Sequence, residues 1–274
     1  MIREPAVAGQ FYPANPHNLR ADIQSYLVRN ESLLDAGGIV APHAGYMYSG
    51  AVAGAAYSAV RIPGRFILLG PNHTGRGVAL ALHPAGQWRT PLGLADIDNE
   101  INTLLLRECD LLAEDKAAHA REHSLEVQIP FLQVLAESPR FAAICIGPSD
   151  YGVLESLGHA LASVIRAIAE PVLLIASSDM SHYEQAEVAS RKDRSAIDEI
   201  VNLNPKGLYQ TVIEKNVSMC GFAPAVALLT ACRDLGAKEG RLIRYANSGE
   251  VSGDYRQVVG YAAIAVCRGQ RPSG

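Results

Sequence analysis

Three imidazoles stand where strands should end. His43 lies in PHAGYMYSG, after the apolar run Ile39–Ala41. His73 lies in GPNHTG, after Phe66–Leu69, and Asp179 and His182 lie in SSDMSHY, after Val172–Ala176. In open α/β sheets, ligands bind beyond the carboxyl ends of the strands. The spacing therefore brings the three histidines to one sheet edge, where an imidazole can carry a proton or bind a metal. Asp179 and His182 are three residues apart and can face one side of a turn. Asp179 would then fix the tautomer of His182 and make it a general acid or base. EHSLEVQ puts Glu122, His123 and Glu126 at a helix start, where Glu126 can close a capping box with His123 or its neighbours. Cys220, in SMCGFAPAV, precedes a helix whose amino-terminal field lowers a thiol's pKa, as suits a metal ligand or a reactive thiol.

Each residue also has an ordinary explanation. A histidine after a strand is commonly a capping or solvated residue. Ser177, Ser178 or Asp179 can simply cap the next helix and leave His182 exposed. Cys220 can be a small buried apolar residue, the reading given to Cys145, Cys232, Cys267 and Cys109. His17, His83, His119 and His159 read as solvated. The case for chemistry rests on the three strand-end histidines together. Other templates are missing from the sequence: no GxGxxG after the first strand, no Walker lysine, no GxSxG elbow and no HExxH. Ser177 or Ser178 with His182 leaves a serine or zinc hydrolase as a distant third reading, without an oxyanion motif.

The elements that must position these residues alternate along the chain. Strands are predicted at Ile39–Ala41, Phe66–Leu69, Val78–Leu82, Phe141–Ile146, Val172–Ala176, Leu242–Tyr245 and Val258–Val266. Helices are predicted at 50–60 (capped by Ser49), 96–108, 124–135 (bent or split at Pro130), 151–169, 186–201, 205–214 and 221–235. This alternation predicts an α/β sandwich with a mostly parallel or mixed central sheet and right-handed crossovers. No composition break divides residues 1–274, so a single domain is expected.

Composition narrows the function classes. The chain has 274 residues, 49% hydrophobic and 19% charged, with a formal net charge of −4. It can bury a sizeable core without a disulfide or a structural metal. Its charges form no basic patch for nucleic acid and no polybasic membrane segment. Five cysteines without a CxxC pair point to a reducing compartment. The amino terminus has no apolar signal region, and no run of about 18 uncharged apolar residues suggests a membrane span. A cytoplasmic location is expected.

Taken together, APHAGYMYSG, GPNHTG, the TPLG stretch before Asp96, EHSLEVQIPFL, SSDMSHY, CGFAP and RYANSG resemble the Memo family in order and spacing. They span the chain from about Ile39 to its last strand. The resemblance implies a three-layer α/β sandwich similar to class III extradiol dioxygenases, which hold non-haem Fe(II) with two His and one Glu and line the pocket with two more His. In chain order it implies His43 and His73 as metal ligands and His123 and His182 as pocket histidines. Cys220 then falls where the Glu would be, as a third ligand. A thiolate is softer than a carboxylate, so iron or copper is expected, with zinc as a further option, and catechol ring cleavage is not implied. The expected function is metal-dependent, dioxygenase-like redox chemistry on a small molecule. The alternative is a non-catalytic binding or signalling module that takes a peptide or partner in the same cleft. The prokaryotic members of this type further imply AMMECR-like and radical-SAM partners, as in AmmeMemoRadiSam systems.

Overall fold

A computed structural model describes residues 1–268. Its elements in chain order are β1 (Ile2–Arg3), α1 (Pro16–Tyr26), β2 (Ala36–Ala41), α2 (Tyr46–Ser58), β3 (Arg65–Pro71), β4 (Leu80–Leu82), β5 (Gln87–Thr90) and β6 (Gly93–Ile97). Then come α3 (Asn99–Glu108), β7 (Ala113–Glu114), α4 (Ile129–Leu135), β8 (Arg140–Ile146), α5 (Tyr151–Ala167), β9 (Val172–Ser177) and β10 (His182–Glu184). The chain continues through α6 (Ala186–Val201), α7 (Pro205–Glu214), α8 (Phe222–Asp234), β11 (Ala237–Asn247), α9 (Gly249–Ser252) and β12 (Val258–Arg268).

The strands form one mixed sheet in the order β1-β5-β6-β8-β3-β9-β2-β12-β10, with β11 on β12 and β4 joining β7 to β8. Its centre, β8-β3-β9-β2, is parallel throughout. These strands read as unbroken apolar runs because helices cover both faces. Every residue of β3 and β9 is buried, and each large aliphatic side chain so buried contributes about 1.5–3 kcal/mol. Ile67, Leu69, Ile144 and Leu174 pack with α3, α5, α6, α7 and α8 on one face. Phe66, Leu68, Ile39 and Ile175 pack with α1, α2 and α4 on the other. This is the expected three-layer α/β arrangement.

Local chemistry moved several predicted boundaries. α2 begins at Tyr46, so Ser49 lies inside it and its hydroxyl donates to Ala44 O. The predicted helix from Asp96 begins instead at Asn99, capped by Asp98, because Gly93–Ile97 is a strand. The predicted 124–135 helix divides into a 3-10 turn at Glu126–Gln128 and α4, with Pro130 in the first turn of α4, where its missing N–H costs nothing.

The parallel register sets the functional edge. Ala41 lies opposite Ser177, and Pro71 opposite Ile146. The residues that follow β2, β3, β8 and β9 therefore emerge together: His43, His73, the Gly147–Asp150 turn and Asp179.

Candidate metal centre

The backbone delivers the side chains, and buried polar groups aim them. His43, His73 and His123 each offer a ring nitrogen, and these three atoms lie within 4.8 Å of one another. The rings of His73 and His123 are stacked, with centroids 4.6 Å apart, and His43 meets both edge-on at 5.2 and 5.4 Å. His43 is buried, His123 is half-buried and His73 is exposed. Phe11, from the segment before α1, stands edge-on to His123 at 4.7 Å.

The hydrogen bonds fix the tautomers. Ser177 Oγ donates its single proton to Ser124 O at 2.6 Å and accepts from Gln128 Nε2 at 2.8 Å. Its 2.9 Å contact with His43 Nδ1 therefore has the ring nitrogen as donor. His73 Nδ1 lies 2.8 Å from Glu122 Oε1, a carboxylate that can only accept. Both rings thus carry a proton on Nδ1 and present the lone pair of Nε2. Glu122 is buried and also accepts from the backbone N–H groups of His73, His123 and Ser124. Burial pushes its carboxyl up, but the hydrogen bonds from the His73 ring and the Ser124 amide outweigh that and hold it at about 2. Burial, then the neighbouring histidines, holds His43 well below its ordinary value, and burial lowers His123 to about 4. Both rings are neutral near pH 7.

Cys220 Sγ lies 3.2 Å from His43 Nε2, outside the group of three, and accepts from Asp179 N at 3.3 Å. Because His43 Nε2 has the free lone pair, the thiol is the donor in this contact. The sequence led to the expectation of a lowered thiol pKa. The structure reverses it: burial, then the Asp179 charge, pushes the thiol up, and the hydrogen bond from the Asp179 amide does not compensate. Gly221 makes this approach possible, since a Cβ there would lie 2.3 Å from Ser177 O.

Asp179 and His182 are arranged differently from expectation. No hydrogen bond joins them among the described residues. Asp179 Oδ1 accepts from the backbone N–H of His43 at 2.8 Å and of Ala44 at 3.3 Å, fixing the turn after β2. Burial raises its carboxyl to about 6, against these N–H bonds and the nearby His182. His182 starts β10, and its Nδ1–H donates to Ser218 O at 2.8 Å. The carbonyl of Ser218 therefore fixes the tautomer that Asp179 was expected to fix, and Nε2 of His182 is left as the basic atom.

Other readings also change. Ser178 Oγ donates to Asp179 O and accepts from Gly221 N, so both serines of the hydrolase reading spend their hydroxyls on structure. Glu126 makes no capping box. It takes Arg3, the Ala6 and Val7 amides and the Tyr12 hydroxyl. His83 and His119 are buried rather than solvated, while His17 and His159 are exposed. Cys109, Cys145, Cys232 and Cys267 are buried and free. Sequence reasoning missed Glu122, Ser177 and Gln128 as orienting groups. The Glu beside His123 in EHSLEVQ was the available signal.

The donor set fits a metal. Neutral imidazoles with protonated, hydrogen-bonded Nδ1 atoms are the form in which histidine binds metals, and imidazole with an adjacent thiol suits iron, copper or zinc.

Comparisons with known proteins agree with the motifs. The family model described as "Memo-like protein" matches residues 3–265. A MEMO1 family protein of Methanopyrus kandleri is 45% identical, with 98% of this chain and 100% of that protein covered. A MEMO1 family protein of Methanothermobacter thermautotrophicus is 40% identical, with 97% and 100% covered. An uncharacterized protein of Escherichia coli K12 matches in structure with a TM-score of 0.51 at 11% identity, covering 83% of this chain and 98% of that one, a likeness of fold alone.

Proposed function

The chain belongs to the Memo family, and from that premise we propose that it is a metal-dependent redox protein acting on a small molecule. His43 and His73 hold the metal through Nε2, with His123 and Cys220 as the adjacent donors. The observation that carries this reading is the pair of Nδ1 partners, Glu122 at 2.8 Å from His73 and Ser177 at 2.9 Å from His43. Each directs an Nε2 lone pair away from its own hydrogen bond, as partners behind a metal ligand do. Iron or copper, when bound, supplies electron transfer and an open position for a small molecule; zinc fits the same donors without redox chemistry. His182 serves as acid or base through Nε2 because Ser218 O holds the proton on Nδ1. Asp179 positions His43 through its backbone amide, and the charge of a protonated His182 reaches both residues. The test is anaerobic loading with Fe(II) or Cu(I), followed by oxygen uptake with candidate reductants. His182→Ala should keep the metal and lose the uptake. Uptake that persists in His182→Ala removes its acid/base role, and no metal-dependent uptake with any reductant argues against the redox reading.

A specific observation favours a second reading, a binding module. Met47 and Tyr48, in the first turn of α2, are exposed, and Tyr183, next to His182, is 74% exposed with φ +58°. Where such side chains adjoin, they offer an apolar surface to a partner. They would serve a peptide or the AMMECR-like and radical-SAM partners that the family suggests. Copurification with those two proteins, lost on Tyr183→Ser with metal content unchanged, is the result that would favour it.

A further inference from the structure

Beside the histidines lies a cavity of about 560 Å³ that reaches both His73 and Cys220. Small-ligand sites run from about 300 to 1,000 Å³. Pro71, Ile146, Pro148 and Phe222 give it mostly apolar walls, drawn from the ends of β3 and β8 and the start of α8. Among the described residues no lysine or arginine lines it, and its one carboxylate is Asp150, which is exposed. Asp150 is the N-cap residue of α5, where an aspartate ordinarily accepts from the first-turn amides. Its side chain makes no such bond. The Val153 and Leu154 amides go to its backbone carbonyl instead. Its carboxylate has no hydrogen-bond or ion-pair partner among the described residues, although it borders the cavity.

The geometry points to a cavity that selects a small molecule with an apolar body and a protonated amine, with Asp150 as the group that reads the charge. This deepens the proposed redox reading by naming its substrate class, and it rests on that reading only for the claim that such a molecule is a substrate. The apolar walls favour a ring or short hydrocarbon body over a sugar or a phosphate ester. With no metal bound, the lack of a lining lysine or arginine among the described residues, together with Asp150, disfavours carboxylates of the same shape.

Calorimetry with tyramine, 4-ethylphenol and 4-hydroxyphenylacetate tests this, because the three share a body and differ in charge. Metal-free protein is used first, so that the selectivity reports the cavity rather than a cation. Tyramine should bind about fivefold more tightly than 4-ethylphenol, as for a partly exposed ion pair, and 4-hydroxyphenylacetate most weakly. Asp150→Asn, at an exposed position, should erase the tyramine advantage and leave 4-ethylphenol unchanged. Equal or tighter binding of the carboxylate, a tyramine advantage that survives Asp150→Asn, or no binding of any of the three to either metal-free or zinc-loaded protein would overturn the assignment. Failure here is distinct from failure of the metal reading, which metal stoichiometry decides without these ligands.

Discussion

At the scale of single residues, the candidate metal centre depends on which nitrogen of each ring carries the proton. Glu122 is the controlling group, since it accepts from the His73 ring and from three backbone amides around it. Glu122→Gln keeps the shape but puts an amide where an acceptor-only group is needed. Metal affinity should fall about 10- to 100-fold, the usual effect of losing a partner behind a ligand, with the melting curve changed far less. Unaltered affinity by competition with a chromophoric chelator would remove Glu122 from this role. His43 and His73 were legible in the sequence, because each follows an apolar run, whereas His123 lies in the polar stretch EHSLEVQ and was placed only by the family resemblance. Their partners were not. Glu122 is 49 positions from His73, and Ser177 is 134 from His43, so only the fold joins them. The Asp179–His182 pairing shows the converse error. Closeness in sequence suggested a bond, but β10 carries His182 to Ser218, and Asp179 turns to the His43 amide.

At the scale of elements, the central strands and the long helices were readable, and α6 and α7 match their predicted spans. The short edge strands and α1 were not. α1 buries only Leu19 and Ile23, too few for a clear period, although Asn15 and Pro16 formed a usable start signal. The close contact of α8 with β9 could not be read from a lone glycine. At Gly221 an added Cβ would meet Ser177 O at 2.3 Å and Ser178 Cβ at 2.4 Å. Gly221→Ala should therefore push the start of α8 outward, cost about 1–3 kcal/mol and displace Cys220 from His43. Gly152→Ala, inside α5 with open space around it, should be neutral or stabilise by up to about 1 kcal/mol. Urea denaturation of the two variants checks the contrast, and equal stabilities would contradict the packing at Gly221.

At the scale of the whole molecule, two buried histidines outside the group of three make stability depend on pH. Burial lowers His83 to about 4 and His119 to about 3, and both pack around Trp88. Because these folded-state values lie below the unfolded one, the stability is fully present above about pH 6.5 and is lost as pH falls toward 4 and then 3. The loss should reach several kcal/mol, because each tenfold change in proton affinity between the folded and unfolded chain is worth about 1.4 kcal/mol. His83→Gln with His119→Gln should flatten the slope between pH 6.5 and 4 but not abolish it, since His43 and His123 are depressed as well. A slope unchanged in the double variant would place the acid sensitivity elsewhere. No helix among the described residues is long and apolar enough to cross a membrane. The central claim is that the parallel core brings the ends of β2 and β3 together to hold one metal ion. The most direct test is the metal content of untagged protein purified without chelator and then loaded with Fe(II), Cu(I) or Zn(II). About one tightly held equivalent is expected in the parent, and none in the His43→Ala, His73→Ala double variant with its fold intact. A parent that holds no metal after loading, or a double variant that holds as much as the parent, would contradict it.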